Sequence, residues 1–148
     1  VLGNRDHAEM RHALLWELMD TSDPGTRRDW NQEIFSLYEG RKKEREKEWQ
    51  ETLDRRLENT TPNLSPDAYA GTYRSATMGD VLVEQSDRGM TMKTTLVEFE
   101  MTHWHLDTFL AEYRPWSIRQ FAAFNIGPDG TVGAFEFLGY TFERVEEE

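Results

Sequence analysis

The chain contains no cysteine, which excludes a disulfide framework, a thiolate zinc site and a cysteine nucleophile. No apolar run approaches the roughly 18 residues that a membrane-spanning helix needs, and no signal-peptide pattern is present. A Gly-rich phosphate loop and a Gly-x-Ser-x-Gly elbow are both missing. None of the six serines is followed three residues later by lysine, so a Ser-x-x-Lys nucleophile pair is absent. Basic residues are also scarce, with 17 Lys and Arg against 28 Asp and Glu for a net charge of -11. Residues 1–65 carry 11 basic and 14 acidic side chains, whereas residues 66–148 carry only 6 basic and again 14 acidic. The second half therefore lacks the cationic footprint that phosphate backbones require, and no nucleic-acid partner is expected. Anionic membrane surfaces are disfavoured for the same reason.

What the chain does have is aromatic bulk. Apolar residues are only 37% of the 148, but five Trp, eight Phe and five Tyr can fill a small core, since each ring buries a large area. The pattern changes at Tyr69-Ala-Gly-Thr-Tyr73. Before it, Asn4 or Asp6 can cap a helix whose Met10, Leu14 and Leu18 stack at i, i+4 and i+8, widened by Ala8, Leu15 and Met19. Asp20 to Gly25 should stop it. Thr26 to Asp29 then opens a second helix with Trp30, Ile34, Leu37 and Tyr38 on its buried side and Gly40 as a break or hinge. Arg41 to Gln50 reads as a solvated, mixed-charge helical run, continued by a thin line of Trp49, Leu53 and Leu57. Asn59 to Pro66, with two prolines, reads as a linker.

From Ala68 the period becomes strand-like. The expected strands are 69–75, 80–85, 90–95, 96–101, 103–112, 119–126, 131–138 and 140–145. Turn signals separate most of them, at Met78-Gly-Asp80, Ser86 to Gly89, Pro115-Trp-Ser117 and Gly127-Pro-Asp-Gly130. Eight short strands joined by tight turns predict an up-and-down antiparallel meander that closes into a barrel and so removes its edges. The fold class is therefore α+β, with N-terminal helices followed by a small eight-stranded barrel. An interior this small can be filled by side chains alone.

Little in this pattern carries chemistry. His103-Trp-His105 has the most ligand-like spacing: in a strand both imidazoles would share one face, continued by Asp107, and three such groups can hold a metal. The plainer reading has them decorating a strand, with Trp104 and Leu106 inward, so no metal or cofactor is expected. His7 and His12, five apart, have poor helical geometry for shared ligation. Tyr73, Trp104, Phe109, Phe124 and Phe137 are the candidates to line an apolar ligand pocket, although such a set is more often core.

Several pieces of the second half act together. Leu64-Ser-Pro-Asp-Ala-Tyr-Ala-Gly-Thr-Tyr73, Gly79-Asp-Val-Leu-Val83, His103-Trp-His-Leu-Asp-Thr-Phe109, Phe121 to Phe124, the Asp129-Gly130 turn and Phe142-Glu-Arg144 occur in an order that resembles a known family. It is the small lipocalin-like accessory domain, of unknown function, found at the C-terminus of serine hydrolases related to class C β-lactamases and penicillin-binding proteins. The resemblance implies three segments. Residues 1–25 would be the last strand and helix of a hydrolase domain, residues 26–65 a helical connector and linker, and residues 66–148 the barrel. None of that family's catalytic Ser-x-x-Lys, Tyr-x-Asn or His/Lys-x-Gly motifs falls here, so no catalytic residue is expected and the chain alone should not be an enzyme. The implied role is a non-catalytic module that docks on its parent hydrolase, covering the active site or mediating assembly. A small apolar-ligand binder is the alternative. The opening at Val1 reads as a piece of something longer, which leaves the compartment undetermined, and the broad apolar face of the first helix predicts self-association once its partner is missing.

Overall fold

The computed structural model describes residues 8–20, 28–87 and 89–145. The chain divides into two compact units, Val1–Arg55 and Arg56–Glu148. In the first, α1 (Ala8–Asp20) packs on α2 (Trp30–Asp54). Asp29 caps α2 by accepting from the Gln32 N–H at 3.0 Å, the N-terminal signature read at 26–29. The contact is small. Ala13 and Ile34 are buried, Trp16 stacks on Trp30 at 5.2 Å, and the Tyr38 hydroxyl meets His12 Nδ1 at 2.7 Å. Gly40 does not break α2, which runs through it for 25 residues; one glycine costs about 1 kcal/mol, less than its helix-forming neighbours and the Lys42–Glu46 and Lys47–Glu51 pairs can tolerate. Leu37 is exposed rather than buried, and Leu57 lies beyond the end of the helix. The expected capping by Asn4 or Asp6, His7, and the stop over residues 21–25 lie outside the described residues.

The second unit is the expected barrel. A short helix, α3 (Pro66–Tyr69), precedes β1 (Gly71–Ser75), β2 (Gly79–Ser86), β3 (Gly89–Lys93), β4 (Glu98–His105), β5 (Thr108–Tyr113), β6 (Ile118–Ile126), β7 (Val132–Phe137) and β8 (Tyr140–Arg144). Every neighbour in sequence pairs antiparallel, and β8 returns to β1, closing the sheet. Alternation decides the two faces: Val81 and Val83, Met90 and Met92, Phe99 and Met101, Phe135 and Phe137 point in, while Arg74, Asp80, Glu100 and Glu136 point out. Charge outside and hydrocarbon inside is the reverse of a lipid-embedded barrel.

Three local expectations change. Tyr69 ends a helical turn instead of starting a strand, because Pro66 sits at the first helical position with its φ preset. The third and fourth strands are separated by a turn in which Thr94 Oγ1 accepts from the N–H groups of Leu96 and Val97 at 3.3 and 3.1 Å. The fifth expected strand is cut at Leu106-Asp107, so Asp107 does not continue the His103/His105 face but sits in the β4–β5 turn. Leu106 there has φ 47°, a left-handed conformation uncommon for a bulky residue. Thr60 Oγ1, which accepts from the Leu106 N–H, and His103 Nε2, which donates to the Leu106 carbonyl, hold it. The expected linker is no free tether either: its Thr60 and Asn63, like Arg56 and Leu57 just before it, hydrogen-bond to the β4–β5 turn region.

Arg144 fastens the seam between the first and last strands. Its guanidinium donates to the carbonyls of Ala68, Ala70 and Val132 at 2.9, 2.6 and 3.4 Å and lies over the Tyr73 ring. Gly71 makes room, since a Cβ there would lie 3.1 Å from the guanidinium, and its φ is 151°. Lysine cannot reproduce the planar fork, so Arg144→Lys should cost about 1–3 kcal/mol in urea denaturation. A variant of unchanged stability would show that one ammonium suffices at the seam.

Candidate functional site

Strand direction sorts the turns into two ends. One end holds α3, the β4–β5 turn, the β6–β7 turn and the C-terminus of β8; the other holds the β1–β2, β3–β4, β5–β6 and β7–β8 turns. The first is latched. Asp107 is its hub, accepting from the Tyr69 hydroxyl at 2.5 Å, from the Asn63 N–H at 3.0 Å and from Asn63 Nδ2 at 2.6 Å. Its backbone carbonyl accepts from the Phe124 N–H at 2.9 Å, and the Leu64 N–H donates to the Tyr69 oxygen at 3.2 Å. Burial pushes the Asp107 carboxyl up, but the Tyr69 and Asn63 hydrogen bonds outweigh it and hold the group below the ordinary carboxylate range. Burial, and next the bond to Asp107, push the Tyr69 phenol up to about 12.

Inside the barrel the rings touch. Tyr69 meets Phe109 and Phe124 edge-on at 5.1 Å each, Tyr73 meets Phe135 at 4.9 Å, and Phe135 stacks on Phe142 at 5.0 Å. Phe99 meets Phe137 at 5.3 Å. The Tyr73 hydroxyl donates to the Tyr69 carbonyl at 2.8 Å. Among the described residues no buried side-chain polar atom lacks a partner. Of the five expected lining residues, Tyr73, Phe109, Phe124 and Phe137 belong to this interior cluster. Trp104 does not. The β4–β5 pairing slips at a bulge between His103 and His105, and the indole lies against Phe121 at 5.0 Å beneath the Arg56 guanidinium at 4.7 Å. Strand alternation puts it there, since Phe99 and Met101 of the same strand point in and Trp104 falls on the other face, and Arg56, which also donates to the Trp104 carbonyl at 2.7 Å, covers it from the stretch read as a helical run.

The ligand-like trio separates as well. His103 Nε2 faces the Leu106 carbonyl at 2.9 Å, His105 Nδ1 accepts from the Leu57 N–H at 3.3 Å, and the Asp107 oxygens are taken by Tyr69 and Asn63. Their donors point to three different partners, and among the described residues no group of three or more His, Asp or Glu side chains is arranged to hold a metal.

The far end exposes apolar side chains at every turn, as the latched end does at Leu106. Each of its four turns carries an exposed large apolar side chain: Met78 at 47%, Leu96 at 88%, Trp116 at 46% and Leu138 at 46%. Tyr140 adds a fifth. A shallow groove of about 470 Å3 runs up to it along β6 and β7, past Phe121, Ala123, Glu136, Leu138 and Gly139. Sequence reading missed this rim because each residue is one apolar letter inside a turn signal; only the strand directions gather them. Among the described residues no helix is long and apolar enough to cross a membrane.

No curated protein and no solved structure matches the chain. Residues 55–147, which begin just after α2 and run through the latch and the barrel, match the family described as a domain of unknown function, DUF3471. The match covers Asn63, Tyr69, Asp107 and Arg144 together with every strand, and the chain belongs to that family.

Proposed function

We propose that the chain is a non-catalytic accessory module that works through its surface, the family's barrel being carried behind a helical connector. The observation that carries this reading is the ring-to-ring packing of the barrel interior, closed at one end by the Asp107 latch. A module with its interior occupied by its own side chains offers a face rather than a pocket. The resemblance of its motifs to the C-terminal domain of β-lactamase-related serine hydrolases supports a hydrolase as the parent. In that setting the exposed Met10, Leu14, Leu15 and Met19 of α1 would lie against the hydrolase sheet, and the barrel would cover the active site or mediate assembly. Segments 1–25, 26–65 and 66–148 would then be the end of the hydrolase domain, the connector and the accessory domain.

On this reading the purified chain hydrolyses neither β-lactams nor D-amino-acid peptides. Turnover that persists in a sample treated with an active-site serine inhibitor, and that copurifies with the chain, would contradict it. The apolar-ligand alternative requires Tyr73, Phe109, Phe124 and Phe137 to exchange ring contacts with one another for contacts with a guest.

A further inference from the structure

We infer that His105 is a pH-responsive fastener of the segment that enters the barrel unit: the neutral ring holds the start of that segment, and the imidazolium releases it. The segment is laid along the β4–β5 turn in order. Arg56 donates to the carbonyls of Trp104 and His103, and the Leu57 N–H donates to His105 Nδ1. Farther on, Thr60 Oγ1 accepts from the Leu106 N–H and Asn63 donates twice to Asp107. The two compact units divide between Arg55 and Arg56, so the Leu57 contact stands at the very start of the second.

Of these contacts, one changes its role near neutral pH. Carbonyl and hydroxyl groups do not titrate there, and Arg56 keeps its charge. Burial pushes the Asp107 carboxyl up, but the Tyr69 and Asn63 hydrogen bonds hold it below the ordinary carboxylate range, so it stays an acceptor. His105 is different. A backbone N–H can only donate, so the Nδ1 that lies 3.3 Å from the Leu57 nitrogen is the unprotonated nitrogen of the ring. Histidine is the side chain that ordinarily takes up a proton between pH 5 and 8, and protonation makes both ring nitrogens donors. The Leu57 N–H then faces a second donor, and the bond is lost.

The surrounding charges reinforce that release. The Arg56 guanidinium lies over the Trp104 ring at 4.7 Å and the His105 ring lies 6.3 Å from the same indole, so an imidazolium adds a second cation beside Arg56. Glu58 follows Leu57 in the segment, and Thr108, opposite His105 on β5, carries no charge. His103 acts in the other sense. Its Nε2 donates to the Leu106 carbonyl, a bond that an imidazolium keeps, and its charge favours the Asp107 carboxylate. Thr60 and Asn63 therefore stay fastened in mild acid while Leu57 comes free.

The test is amide hydrogen exchange of the full chain at pH 8 and pH 5, read by NMR and corrected for the intrinsic pH dependence of exchange. Protection of the Leu57 amide should fall about fivefold, the scale of one neutral hydrogen bond, while the Leu106 and Asn63 amides keep theirs. Imidazole nitrogen shifts should show His105 Nδ1 unprotonated at pH 8, with the loss of protection following its protonation. His105→Asn places a neutral acceptor near the Nδ1 position and should keep Leu57 protected at both pH values, whereas His105→Ala should leave it unprotected at both. Leu57 protection that does not change between pH 8 and pH 5 would overturn the inference. So would a pH response that persists in His105→Asn, or an equal loss at Asn63.

Discussion

Replacing Phe135 by alanine is expected to remove about 3–5 kcal/mol of barrel stability, the range for truncating a fully buried phenylalanine. Phe135 has no exposed surface and touches Tyr73, Phe124 and Phe142. It therefore sits where rings from β1, β6 and β8 meet. In a domain of this size the loss should lower Tm by more than about 10 °C. The hole would be lined by hydrocarbon, and apolar cavities on the order of 150 Å3 stay dry and take up benzene-sized guests. The same variant should thus gain a binding site that the parent lacks. Phe135→Leu, which keeps most of the volume, should recover more than half of the stability. If Phe135→Ala is as stable as the parent, the interior is not packed as the ring contacts describe.

Asp107→Ala should be the second largest effect, at about 2–3 kcal/mol, since it strips a charged acceptor from the Tyr69 hydroxyl and both Asn63 donors. The loss should appear locally. Backbone amides of residues 56–65 should lose hydrogen-exchange protection more than those of β3. The pH dependence follows from the two shifted groups. Asp107 titrates lower in the folded chain than in the unfolded one, so near about pH 4 the unfolded state binds more protons and stability rises with pH. Its contribution is present above the ordinary carboxylate range and is lost as pH falls through the depressed folded value. Tyr69 is pushed up to about 12, so its contribution is present below the ordinary phenol range near about 10 and is lost as pH rises through the folded value. The latch therefore holds across the neutral range, and Asp107→Asn should flatten the acid limb of the stability profile. An unchanged acid limb would assign it to other carboxylates.

Much of the fold is written locally. Gly79, Gly89, Gly130 and Gly139 take positive φ in turns that the sequence marks, and the Phe135/Phe137 alternation identifies the inner face without help. The β4–β5 turn is different. Nothing at Leu106-Asp107 announces it, because its stabilising partners, Thr60 and Asn63, lie more than forty residues earlier. The same long-range packing turned the expected linker into part of the barrel unit. The motif letters Tyr69, Tyr73, Asp107 and Arg144 converge on hydrogen bonds to one another and to backbone carbonyls. They hold the barrel shut. The rim at the opposite end was not legible at all, since Met78, Leu96, Trp116 and Leu138 share no spacing until the strands alternate in direction.

The claim on which the rest depends is that the barrel interior belongs to its own side chains. The most direct measurement is a titration of the parent chain and Phe135→Ala, side by side, with an apolar fluorophore, following both probe and tryptophan emission. No saturable site is expected in the parent, and a saturable one is expected in Phe135→Ala. Stoichiometric saturation of the parent, reduced by Phe135→Ala, would contradict it and make this barrel a ligand carrier.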